Sequence, residues 1–190
     1  MSAKDSAILA LFHASFRIQN RRRVVSLPKK QDVVLPNKQM NAARRLSSLR
    51  ERLDNNEALK GIYCSHMVDH IAKGQVGLAP LEDSITMFYL PHQAVKKVKN
   101  GRTKWRIVFD ASSQESKASC LNEVLEIGQN LLPEILAILL RFRLHHSAIV
   151  GDVTQAFLQL VLDREDRDLT RFFWYRTIPK ARVTTARQTR

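Results

Sequence analysis

The stretch KKVKNGRTKWRIVF, residues 96–109, constrains the fold more than any other part of the chain. Asn and Gly are the residues that best tolerate the positive φ angles of a two-residue type I′ turn, and that turn's twist matches the strands it joins. Strand-like sequence lies on both sides, ITMFYLPHQAV at 85–95 and WRIVFDAS at 105–112. A β-hairpin turning at Asn100-Gly101 is therefore predicted. Lys96, Lys97, Lys99, Arg102 and Lys104 crowd its tip. A cationic tip of this kind suits a grip on phosphates, and it also serves as a solubilising loop.

Helical periodicity fills the region before the hairpin. Leu46, Leu49 and Leu53 recur at helical spacing within residues 37–53, with Arg44, Arg45, Arg50 and Arg52 on other faces. Asn55 or Asn56 is placed to cap a second helix carrying Leu59, Ile62 or Tyr63, Met67 and Ile71, closed by Gly74 and Gly77. His66 and His70 have the i, i+4 spacing of a helical metal pair, but no third ligand stands near them, and they read as surface histidines. Residues 5–19 predict an amphipathic helix with Ile8, Leu11, Phe12, Phe16 and Ile18 on one side. RRRVVSLPKKQDVVLPNK follows, broken by Pro28 and Pro36, where VVSL and DVVL are long enough only for edge strands or extended connections.

After the hairpin, a helix is expected over residues 133–144, with Pro133 in its first turn. AIVGDV at 148–153 reads as a short buried strand, followed by QAFLQLVL, an acidic turn DREDRDL and the strand-like RFFWYR. Residues 176–190 are basic and aperiodic and read as a disordered tail.

Charge narrows the partners. With 31 Lys and Arg against 18 Asp and Glu, the formal net charge is +13, which argues for a polyanionic partner and above all for nucleic acid. Cys64 and Cys120 match no metal spacing and read as two ordinary buried thiols of a reducing compartment. No apolar run approaches the roughly 20 residues needed to span a bilayer, and the first apolar stretch precedes its arginines, the reverse of a signal peptide. An intracellular protein without a membrane partner is expected.

One residue asks a question of its own. Asp152 ends the apolar run SAIVGD, where a carboxylate is costly to bury without a partner or a cation. A helix cap, a strand-end charge and a metal ligand all fit its position.

Taken in order, YLPHQAV, KWRIVFDAS, SCLNEVL and LLPEILAILLRFRLHHSAIVGDVTQAFLQLVLDREDRDLTRFFW resemble the reverse transcriptase of BEL/Pao-type retrotransposons across residues 85–175. The upstream SLP, LP and ARRLSSLRERL segments resemble the region before the polymerase in such polyproteins. The resemblance implies an α+β chain with a partial right-hand polymerase fold, fingers plus incomplete palm, preceded by helices. The expected organisation is a basic N-terminal segment at 1–36, a helical region at 37–80, fingers and palm at 81–175, and the tail at 176–190.

The resemblance also implies roles, position by position. Asp152 matches the first palm aspartate that binds catalytic Mg²⁺, with the Val153 carbonyl beside it; two-metal phosphoryl transfer needs such carboxylates on rigid elements. Arg106 matches the fingers arginine that reaches the triphosphate of an incoming dNTP, and Lys104 and Lys99 add charge there. Gln155 and Ala156 fall in the nucleotide site, and Phe157 matches the aromatic residue under the sugar that rejects a 2′-hydroxyl. Lys96, Lys97, Lys99 and Arg102 would hold the RNA or DNA template-primer. Asp110 is expected to hold local structure.

The family's second carboxylate motif, an Asp-Asp pair, does not occur in the 190 residues. Asp163, Glu165, Asp166 and Asp168 instead match a turn whose acids cap a short helix. A truncated polymerase fragment, inactive by itself, is the expectation. A basic nucleic-acid-binding module and a relic reading frame without selected function are the alternatives.

Overall fold

The computed structural model describes residues 2–30, 35–80, 87–113, 119–153, 155–175 and 183–188. The described residues form a mixed α+β fold with three small sheets, two of which pack against a pair of helices. Helix α1 (Ala3–Ser15) opens on a capping box in which Ser2 Oγ accepts from Asp5 N and the Asp5 carboxylate accepts from Ser2 N. It is shorter than the sequence suggests and buries none of its residues. Phe16 is already extended, and Ile18 belongs to β1 (Arg17–Gln19), which turns back into β2 (Arg22–Val25). Asn20 and Arg21 both have positive φ, so this connection is also a tight primed turn.

The two central helices follow their leucine spacing. Helix α2 (Gln39–Asp54) buries Leu46, Leu49 and Leu53, and α3 (Glu57–Ala72) buries Leu59, Tyr63 and Met67, while Ile62 and Ile71 face outward. Asn56 caps α3, its Oδ1 accepting from Leu59 N at 2.9 Å. The other end closes on Gly74 at φ 61°, with Gly74 N–H reaching the Ile71 carbonyl and Gln75 N–H reaching the His70 carbonyl. This is the left-handed closing motif that glycine serves best. Gly77 lies one residue into β3 (Val76–Leu78).

Strands β4 (His92–Lys99) and β5 (Arg102–Phe109) form the hairpin, with Asn100 at φ 50° and Gly101 at φ 72° in its turn. Trp105, Ile107 and Phe109 pack against the core made by α2, α3, Tyr89, Phe172 and Phe173. Phe109 also touches a second cluster of Phe88, Leu90, Leu121 and Leu169, so it ties the two together. That cluster includes Leu121 of the one-turn helix α4 (Leu121–Val124).

Several expectations are corrected. β4 starts at His92 because Pro91 cannot donate to a ladder; upstream, Tyr89 makes only an isolated bridge to Arg171. Residues 32–34 of DVVL and residues 85–86 of the first predicted strand lie outside the described residues. Helix α5 (Ile135–Phe142) begins after Pro133, since Glu134 is its extended cap. Residues 147–153 form no strand and are exposed, Ile149 at 96%. A strand buried on both faces needs covering layers, and none of the described strands pairs with this segment.

The chain continues through a short 3-10 turn at 156–159 into β6 (Leu160–Leu162), which runs parallel to β2. A second 3-10 turn at 167–170 leads into β7 (Arg171–Tyr175). Residues 183–188 of the expected disordered tail form β8 (Val183–Gln188), inserted between β3 and β7. The physical reason is that β7 and β3 both offer unpaired edges, and Val183-Thr184-Thr185 is β-branched sequence suited to fill the gap. Residues 176–182 and 189–190 lie outside the described residues.

Candidate nucleic-acid interface

In an antiparallel pair, directly opposed residues point to the same face, and faces alternate along each strand. The register pairs Lys97 with Lys104, Val95 with Arg106 and Lys99 with Arg102. Lys97, Lys104 and Arg106 are therefore exposed on one shared face, and the Lys99–Arg102 backbone pair continues that row to the turn. Lys96 is opposed to Trp105 and belongs to the other face, with Ala94 and Ile107. Like charges directly across a hairpin destabilise it, and a bound polyanion would relieve them.

The base of the hairpin is fixed more firmly than its tip. His92 Nε2 lies 2.8 Å from the Phe173 carbonyl, which can only accept, so Nε2 carries the proton. Nδ1 then accepts from the Tyr63 hydroxyl at 2.5 Å. Burial holds the imidazole below its usual pKa, partly opposed by the Phe173 hydrogen bond, and burial pushes the Tyr63 phenol up. A neutral, twice-bonded histidine thus anchors β4 to α3 and β7. Nothing in YLPHQAV marks His92 for this role, because both of its partners are distant along the chain.

The residues expected at a nucleotide site divide into two groups. Lys104 and Arg106 are on the hairpin, whereas Gln155, Ala156 and Phe157 lie beside β6, in a different sheet. Gln155 has φ 53° and ψ 44°, left-handed for a non-glycine residue. Its Oε1 accepts from Gln75 Nε2 at 3.1 Å, and the buried Gln75 holds His70 Nδ1 through its own Oε1. So His70 is tied into a side-chain relay, and the Gln155 side chain has a structural partner. Phe157 is 89% exposed and is not a core residue.

Asp152 and Val153 are exposed on the irregular stretch before this turn. Among the described residues, no group of three or more His, Cys, Asp or Glu is placed to hold a metal ion. One carboxylate and one carbonyl do not make the ligand set that two Mg²⁺ ions require.

Of the acids at 163–168, the three aspartates have basic or backbone partners. Asp163 meets Arg17, whose guanidinium holds its carboxyl below the usual range. The buried Asp166 accepts from Leu27 N at 2.7 Å and lies 2.7 Å from Lys29 Nζ. Asp168 meets Arg171 Nε at 3.1 Å. Asp166 does not cap the 167–170 turn as expected, because its side chain reaches the N-terminal segment instead. Asp110 does hold local structure: Oδ1 accepts from Ser112 N and Oγ, and Oδ2 faces Arg45 Nη1 at 3.1 Å.

The two thiols are free, Cys120 buried and Cys64 partly so. Among the described residues, no helix is long and apolar enough to cross a membrane. A scan against protein-family models found no match to this chain, and a search of curated proteins found none either.

Proposed function

We propose that the chain is a fingers-type unit of a reverse-transcriptase-like polymerase that holds nucleic-acid phosphates on the cationic face of the β4–β5 hairpin, inside the cell. The observation that carries this reading is the register, which lines Lys97, Lys104 and Arg106 along one exposed face. The ordered motifs of residues 85–175 and the +13 charge support it. In this reading Arg106 and Lys104 neutralise a dNTP triphosphate, joined by Gln155, Ala156 and Phe157 when the palm is complete. Asp152 and the Val153 carbonyl would be the first ligands of Mg²⁺, which supplies Lewis-acid stabilisation when bound.

The test has two parts. Single-stranded DNA or RNA should bind with little sequence preference and weaken steeply with salt, by a slope of about 0.7 per phosphate neutralised. Binding that ignores salt, or none at low salt, overturns the reading. The 190-residue chain should not extend a primer with dNTPs and Mg²⁺; incorporation that disappears in Asp152→Ala would show that it carries a working site.

A second reading is a basic nucleic-acid-binding module without nucleotide chemistry. The exposed, strandless 147–153 segment favours it, because it leaves Asp152 on no rigid element. A dNTP that protects Arg106 from arginine-directed modification would decide for the polymerase reading.

A further inference from the structure

A groove of about 380 Å³ separates α2 from the root of the hairpin. Its size falls at the low end of small-molecule sites, which run roughly 300–1,000 Å³. Arg45, Ser48 and Arg52 line one wall, one helical stripe at i, i+3 and i+7. Gln93 and Asp110 line the other wall, one residue into β4 and one residue past β5. Leu49 and His92 also border the groove, and both are buried in the core beneath it.

The charges in this groove are unbalanced. Arg45 is held by Asp110, with both side chains partly exposed. Arg52 makes no ion pair among the described residues. Two guanidinium forks against one carboxylate leave one net positive charge in a concave site. Gln93 adds a neutral amide donor. Planar guanidinium forks match phosphate oxygens geometrically, which a lysine cannot do.

We propose that this groove is a phosphate-binding site in which Arg52 and Arg45 grip the phosphate group of a nucleotide or of a nucleic-acid strand. Asp110 is its built-in competitor: it occupies Arg45 in the free protein and yields that guanidinium when phosphate enters. The site is separate from the cationic row of Lys97, Lys104 and Arg106, and it stands or falls without it.

The experiment titrates the full chain with inorganic phosphate, with a single deoxynucleoside triphosphate and with a short oligonucleotide, at low salt. Calorimetry gives the affinities, and arginine Nε–H resonances report the site. Phosphate should shift the Arg45 and Arg52 signals, and Arg45→Gln or Arg52→Gln should each weaken phosphate binding by about fivefold or more. Asp110→Asn should tighten it, since the amide keeps the Ser112 hydrogen bonds at Oδ1 and removes the competing charge. Lys73→Gln, at a lysine that lines neither the groove nor the hairpin, should leave phosphate affinity unchanged. An Arg52→Gln loss seen with the oligonucleotide assigns the site to a strand; a loss seen only with the triphosphate assigns it to a free nucleotide. Either supports the site. Unmoved arginine resonances at about 10 mM phosphate, beyond the weak end of useful recognition, overturn it. So does equal affinity in wild type and in both folded arginine variants.

Discussion

The Tyr63 hydroxyl donates to His92 Nδ1 while His92 Nε2–H donates to the Phe173 carbonyl, so one buried imidazole joins α3, β4 and β7. Tyr63→Phe removes the donor and leaves Nδ1 buried without a partner, which should cost about 1–3 kcal/mol in urea unfolding. The same histidine sets a pH dependence. Its pKa in the fold is below the ordinary 6.5, so its contribution is complete above that value and is lost as pH falls toward the folded pKa. Stability should drop below about pH 6.5 by at most about 1.4 kcal/mol per pH unit for this one proton. Unfolding curves at several pH values, compared with His92→Gln, check it: the variant should show a shallower acid slope.

The two tight turns should respond in opposite directions. Gly101 has φ 72° with open space around the position of a Cβ, so Gly101→Ala meets no clash and pays only backbone strain, about 1 kcal/mol. Arg21 has φ 60° without being glycine, and Arg21→Gly should stabilise the chain by a few tenths to about 1 kcal/mol. Thermal melts of the two variants, read side by side, provide the check.

Asp166 holds the N-terminal segment to the 167–170 turn through Leu27 N–H and Lys29. Asp166→Ala orphans a part-buried backbone donor and should destabilise by about 2 kcal/mol. Lys29 is half exposed, so Lys29→Ala should cost less than about 1 kcal/mol. Equal losses in denaturant unfolding would mean that the ion pair, and not the backbone hydrogen bond, makes the connection.

The hairpin faces predict an asymmetry among neighbouring lysines. Lys97→Gln should lower the salt slope of oligonucleotide binding by about 0.7, the value for one phosphate contact to a single strand. Lys96→Gln, on the Trp105 face, should leave that slope within about 0.2 of wild type. Filter binding across a salt series distinguishes the two.

Local chemistry makes much of this fold legible in the residues themselves. Asn100-Gly101 specifies a turn because few residues accept its φ angles, and Leu46, Leu49 and Leu53 specify a buried helix face because helical period places them together. Asn56 and Gly74 mark the ends of α3 for similarly local reasons. The role expected for Asp110 is also legible, since an aspartate two residues before a serine bonds its own backbone.

Sequence by itself determined which segments turn, coil and carry charge, because those properties depend on residues within a few positions of each other. Only the tertiary structure decided which face of the hairpin each lysine takes relative to the core, and that Asp166 reaches Leu27 rather than capping its own turn. It also decided that 147–153 lies exposed while 183–188 completes a sheet. A strand's fate depends on which edges are open elsewhere in the chain, and edge pairing between residues as distant as Val76 and Gln188 leaves no local pattern to read.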